Sequence, residues 1–320
     1  MRTSKKVALV VGATCVVIVG LGVIALQSRQ PQYDPSFNVT VDAPAYGQRG
    51  PVVLYDEGHL NTHTATDGYK PFADLVRNDG YEWTTSRSTF TKAMLESVSI
   101  LIVVLPRGSN DSNDNPAFSN EECSTVAEWV RQGGSLLLIT DHWPYGASAA
   151  TLGKQFQIEM SAGMTEDPKH CDDELGDSHI VFAKDNGLLG THPITLGRTK
   201  AEQLNRVLTF TGQSIQGPED AFPFLRLSDN AIDRPPTIPV VKRNGGNVQV
   251  EMQYGSPLPA KNKAQGLALE VEKGRIVVLA EAGMLRAKRE RNGMLVGMNR
   301  LDYDNRQLAL NIMHWLSKLL

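Results

Sequence analysis

Ser135-Leu136-Leu137-Leu138-Ile139-Thr140 is an apolar run, and Asp141 and His142 follow it at once. A run this short and this apolar, entered through Gly133-Gly134, reads as a strand buried on both faces, the kind found in parallel sheets. Two other segments repeat the arrangement. Pro51 to Tyr55 is followed by Asp56, Glu57, His59, Asn61 and His63, and Arg275 to Ala280 is followed by Glu281. In an open parallel sheet the carboxyl ends of the strands line one edge, and ligands bind in the crevice outside it. Three distant segments are therefore expected to meet in one acidic, histidine-rich cleft.

Working outward, strand and helix patterns alternate. Ile100 to Leu105 is another pure strand, and Tyr81 to Thr85 a shorter one. Helical spacing appears over Tyr69–Asn78, Lys92–Glu96 and Ala147–Phe156. Ser119 and Glu122 form a capping box that opens a further helix, with Val126, Trp129 and Val130 on its inner face. Repeated βαβ units predict a parallel sheet with helices on both faces. From Val207 the pattern changes to short strand-like pieces (207–211, 222–227, 237–242, 248–252 and 264–270), which predict an antiparallel extension. Asn305 to Leu319 reads as a closing amphipathic helix. The segment from Met160 to Asp177 is polar and reads as irregular.

The chain has 320 residues, 41% hydrophobic and 21% charged, with a formal net charge of -3. A nucleic-acid partner is excluded on charge, since that role needs a basic face. Arg2, Lys5 and Lys6 precede an apolar stretch from Val7 to Leu26, near the roughly 20 residues a spanning helix needs. The expected organisation is a membrane anchor or signal segment at 1–26, a linker at 27–50 and an α/β domain at 51–320. The expected location is the extracytoplasmic face of a membrane, or secretion after signal cleavage. Of three cysteines, Cys15 lies in the apolar stretch. Cys123 falls on a helix and Cys171 in a polar loop, so two separate thiols are expected.

The clusters carry the chemistry. Asp56, His59 and His63 supply a carboxylate and two imidazoles, a conceivable divalent metal set that matches no established zinc spacing. The bland reading is that Asp56 orients His59 in a network bracing the loop. Trp143 and Tyr145 bring aromatic faces next to Asp141 and His142, as in pockets for amphipathic ligands. Arg107 is placed to meet a carboxylate or phosphate, or is a solvated loop charge. The loop Asn110–Asn115 reads as a lid, His192 before Pro193 as a turn residue, and His170-Cys171-Asp172-Asp173-Glu174 as a solvated loop.

These same motifs carry a resemblance. Asp56-Glu57-Gly58-His59, Tyr69-Lys70-Pro71-Phe72-Ala73, Asp79-Gly80-Tyr81, Gly133 to His142, His192-Pro193-Ile194, Thr209-Phe210-Thr211-Gly212 and Asn311 to Leu316 resemble an uncharacterised bacterial family of the class I glutamine amidotransferase-like superfamily. The resemblance implies a flavodoxin-like three-layer α/β sandwich. True amidotransferases carry a cysteine nucleophile just after the strand matching Leu136–Thr140. This chain has Thr140, Asp141 and His142 there, and without a thiolate no thioester forms.

The expectation is a domain that binds a small polar ligand or a membrane-complex partner, lined by Asp56, Glu57, His59, Asn61, His63, Arg107, Asp141, His142, Trp143 and Glu281. The alternative is a metal-dependent hydrolase using the Asp/His cluster, with Asp141 or Glu57 as base. The sequence does not name a cofactor or settle whether a metal is held.

Overall fold

A computed structural model describes residues 32–47, 49–108, 116–237, 240–244, 247–251 and 253–320, without the side chains of 240–251. The expected lid at Asn110–Asn115 lies outside these residues.

The main sheet has nine strands. We number them β1 (Val52–Asp56), β2 (Glu82–Ser86), β3 (Ile100–Val104), β4 (Ser135–Ile139), β5 (Glu159–Met160), β6 (Ile215–Gln216), β7 (Phe222–Arg226), β8 (Ala264–Val271) and β9 (Gly274–Leu279). Their order is β2-β1-β3-β4-β9-β8-β6-β5, and β7 also pairs with β8. The five strands from β2 to β9 are mutually parallel. From β9 onward the pairings turn antiparallel. The mostly parallel sheet with an antiparallel extension is therefore present as expected.

Side-chain alternation explains the layers. Tyr55, Ile102, Ile139 and Leu279 join one core with helices α1 (Lys70–Asn78) and α6 (Asn305–Leu316). Their neighbours Leu54, Leu101, Leu138 and Val278 join a second core with α3 (Asn120–Arg131) and α4 (Tyr145–Lys154). Successive strand residues point to opposite faces, so an unbroken apolar run is what a sheet covered on both sides requires. Each fully buried aliphatic side chain contributes roughly 1.5–3 kcal/mol. Two shorter helices complete the set, α2 (Lys92–Leu95) and α5 (Pro193–Leu196).

The anchored reading needs correction. The segment 7–26 lies outside the described residues, and among those described no helix is long and apolar enough to cross a membrane. The longest, α3 and α6, have 12 residues each, about 18 Å at 1.5 Å per residue against a hydrocarbon core of about 30 Å. The transmembrane helix, the signal-anchor, the membrane partner and the membrane-anchored extracytoplasmic location thus find no support and are withdrawn.

Part of the stretch expected as a linker lies along the body. Asp34 is buried and accepts from Asn299 Nδ2 at 3.2 Å. The Arg306 guanidinium donates to the Thr40 carbonyl at 2.6 Å. Ala45 N donates to Asp79 Oδ1 at 2.8 Å, and Gly50 N to Gly80 O at 3.1 Å. Gly80 has φ +95, and a Cβ there would collide with the Tyr46 carbonyl. Glycine is the residue that tolerates both conditions.

His192 does more than turn the chain. Its Nδ1 accepts the Ile194 N–H at 3.2 Å and so caps α5, while its ring stacks on Phe222 at 5.0 Å. Burial, then Arg275, lowers its pKa to about 4. Only the neutral ring can accept that bond. With the folded pKa depressed, the unfolded chain takes up the proton first, so stability falls as pH drops from about 6.5 toward 4. Melting temperatures at pH 7 and pH 5 should therefore lie closer together in His192→Asn, which keeps an acceptor and removes the titrating group. An equal gap in variant and parent would refute this account.

Candidate functional site

The clusters after β1, β4 and β9 come to one edge, the carboxyl ends of the parallel strands. They divide into two groups, one on each side of the sheet.

On the α3 side, Asp56 and His59 form a closed clasp. His59 Nδ1 lies 2.8 and 2.9 Å from the two Asp56 oxygens, and its Nε2 lies 2.9 Å from Glu122 Oε1. The ring sits between Phe90 and Phe118, with both centroid distances 4.6 Å. Asn61 Nδ2 donates to Asp56 Oδ2 and to the Val104 carbonyl, each at 3.0 Å. Gly58 N donates to Asp56 Oδ1, and a Cβ on Gly58 would meet the Ser88 carbonyl at 2.9 Å. Burial opposes charge on His59, but the bonds and charges of Asp56 and Glu122 outweigh it and raise the pKa. Burial likewise works against ionised Glu122, and its bonds from Ser119, His59 and Phe90 hold the carboxyl below its usual range. Both ring nitrogens of His59 face carboxylate oxygens, so neither is turned toward a metal.

His63 turns the other way. Leu60, with φ 50, reverses the chain between the two histidines, so the i, i+4 spacing does not put them on a shared helical face. His63 stacks on Tyr69 at 5.8 Å, and its carbonyl accepts from Tyr55 Oη at 2.9 Å. Burial, then Arg286 and Lys288, lowers its pKa to about 3. Glu57 is spent on structure, accepting from Ala65 N at 3.1 Å and Arg87 Nε at 3.2 Å. Arg107 is half-buried, and its backbone N–H donates to the His59 carbonyl at 2.9 Å.

On this same α1/α6 side stand Asp141 and Glu281, both buried. Asp141 accepts from His142 N at 2.8 Å and Ala282 N at 3.2 Å. Glu281 accepts from Gly283 N and from Met284 N, the latter at 2.8 Å. Burial raises both carboxyl pKa values, and for Glu281 the charge of Asp141 adds to it. Burial and the mutual repulsion of the two groups both disfavour their charged forms here. Tyr69 Oη, beside them, donates to the Ala282 carbonyl at 2.7 Å. Arg286 feels the charges of Tyr69 and Glu281, and its buried Nε has no hydrogen-bond partner among the described residues. His142 Nδ1 lies 2.9 Å from the Trp143 carbonyl and 3.1 Å from Tyr254 Oη. Trp143 is buried, with its indole N–H unpartnered among the described residues.

Glu122, Tyr69, Arg286 and Tyr254 complete the edge and were not among the sequence candidates. Glu122 was visible only as a capping residue. The others lie in segments with no reactive cluster.

Cys123 is buried and free, and Cys171 is free as well. Burial raises both thiol pKa values, helped for Cys171 by Asp177. His170 bonds Asp167, and Asp172 bonds Tyr303 and Arg300. Among the described residues no group of three or more His, Cys, Asp or Glu is arranged to hold a metal.

No family model and no curated protein matches the chain. Solved structures do. The N-terminal domain of mmIFT52 superposes with a TM-score of 0.59 at 12% identity, covering 83% of this chain and 97% of that one. A cytoplasmic protein of Salmonella typhimurium LT2 gives 0.45 at 12% identity, with 83% and 98% covered. A putative GMP synthase protein of Thermoplasma acidophilum gives 0.41 at 10% identity, with 84% and 96% covered. At these identities the likeness is one of fold alone. The architecture is a mostly parallel α/β sandwich, and no match singles out the bacterial family that the motifs resemble.

Proposed function

We propose that this chain is a binding domain on an amidotransferase-like scaffold. It would take a polar ligand, or a polar segment of a protein partner, at the strand-end edge beside Asp141 and Glu281. The observation that carries the reading is the buried carboxyl pair Asp141 and Glu281 with, near Glu281, Arg286, whose Nε has no acceptor among the described residues. An unpartnered guanidinium N–H is a charge-assisted donor for an incoming oxygen-rich group. The bacterial family resemblance belongs to this proposal. Glutaminase chemistry does not: Thr140-Asp141-His142 stand where a thiol is needed, and both described thiols are held toward their neutral form. The hydrolytic alternative gains nothing from His59, whose nitrogens both face carboxylates.

Purified protein should release no ammonia from glutamine. In a thermal-shift screen of amino acids, dicarboxylates and polyols, at least one compound should raise the melting temperature, and Asp141→Asn should lose that shift. Glutamine turnover abolished by replacing Cys123 or Cys171 would overturn the reading, as would shifts that Asp141→Asn leaves intact.

A further inference from the structure

A cavity of about 730 Å³ opens at the opposite edge, under the amino-terminal ends of the parallel strands. Ser135, the first residue of β4, forms its roof, and the second half of α3 forms one wall. The volume falls within the roughly 300–1,000 Å³ typical of small-molecule sites.

Three features give the cavity a chemistry. First, Trp129 is half-buried and lines it. Its indole lies against Gly134, where any Cβ would collide with the ring, so the glycine lets the backbone support the aromatic plane. Second, Ser135 lines the cavity and is 1% exposed. A serine hydroxyl at a cavity wall can donate to a ligand or accept from it. Third, the formal charges cancel. Lys92 and Lys318 are matched by Glu96 and Glu128. The Lys318 ammonium is spent on the Gly133 and Lys273 carbonyls at 3.1 and 2.8 Å. Glu128 takes a bond from Gln132 Nε2 at 2.7 Å and keeps further acceptor capacity.

An aromatic platform among balanced donors and acceptors suits a ligand with one apolar face and a rim of hydroxyls. A net anion or cation would find no net charge of opposite sign. We propose that this cavity binds a neutral saccharide of one or two pyranose rings, stacked on Trp129 and hydrogen-bonded to Ser135 and Glu128. This site is separate from the strand-end edge and does not rest on the reading given for it.

The test titrates the full chain with glucose, galactose, mannose and cellobiose, with glucuronate and benzoate as charged controls, read by calorimetry and saturation-transfer NMR. Saturable binding of a neutral sugar is expected. Trp129→Ala should abolish it. Ser135→Ala should weaken it about 3–10-fold, the worth of one net hydrogen bond. Absence of binding by all four sugars overturns the proposal. So does preference for glucuronate or benzoate, or binding that survives Trp129→Ala but fails in Asp141→Asn.

Discussion

Glu122→Ala should destabilise the folded chain by about 3–5 kcal/mol, the usual cost of stranding one member of a buried charged pair. Glu122 accepts from Ser119 N at 3.0 Å, Ser119 Oγ at 2.9 Å, Phe90 N at 3.1 Å and His59 Nε2 at 2.9 Å. Its removal uncaps α3 and leaves His59 facing two phenyl rings with only Asp56 for company. The pH signature separates this from simple loss of packing. The folded His59 pKa is raised, so its share of stability is complete below the unfolded value of about 6.5 and fades as pH rises through the folded one. The folded Glu122 pKa is lowered, so its share is complete above about 4.5 and fades as pH falls through the folded value. Urea midpoints should therefore differ most between parent and variant near pH 6, with the gap narrowing toward pH 9. A gap independent of pH would show that the clasp is not electrostatic.

A loss of similar size, about 3–5 kcal/mol, is expected for His314→Leu. His314 and Asp79 are both fully buried, and Nε2 lies 2.7 Å from Asp79 Oδ2. The leucine would leave the Asp79 carboxyl between α1 and α6 with one hydrogen bond to its oxygens among the described residues, from Ala45 N. Asp79→Leu combined with His314→Leu should recover part of the loss, because replacing both members removes the stranded charge. Guanidinium unfolding of the four proteins checks this, and a double variant weaker than the sum of the singles would argue against it.

The central strands and the α3 capping box were legible because each follows from local composition. Runs such as Ile100–Val104 must be buried on both faces, and Ser119 with Glu122 satisfies helix-end donors whatever surrounds them. The convergence of Asp56, Asp141 and Glu281 on one edge was legible from their position after strands. The separation of His63 from His59 was not, because it depends on how the chain bends at Gly58 and Leu60. Glu122 as a partner of His59 was hidden, since the two are far apart in sequence and meet only when α3 packs on the sheet. The strand Gly176–Ala183 was missed because its first half is polar, and it pairs with short neighbours outside the main sheet. The packing of residues near Asp34 and Ala45 was hidden as well. Asp34 meets Asn299 and Ala45 meets Asp79 only across long stretches of sequence, and Ala45 does so through its backbone N–H, which leaves no trace in a side-chain pattern.

The position of β9 bears on how the chain is made. It lies between β4 and β8 at the middle of the sheet, yet it is translated long after β4. While a ribosome is still extending the chain, the edge of β4 stays open, with Leu136, Leu137 and Leu138 next to unpaired backbone groups. Open apolar edges recruit other strands. Nascent chains stalled before Gly274 should therefore depend on chaperones, and chains released beyond Leu279 should depend on them far less.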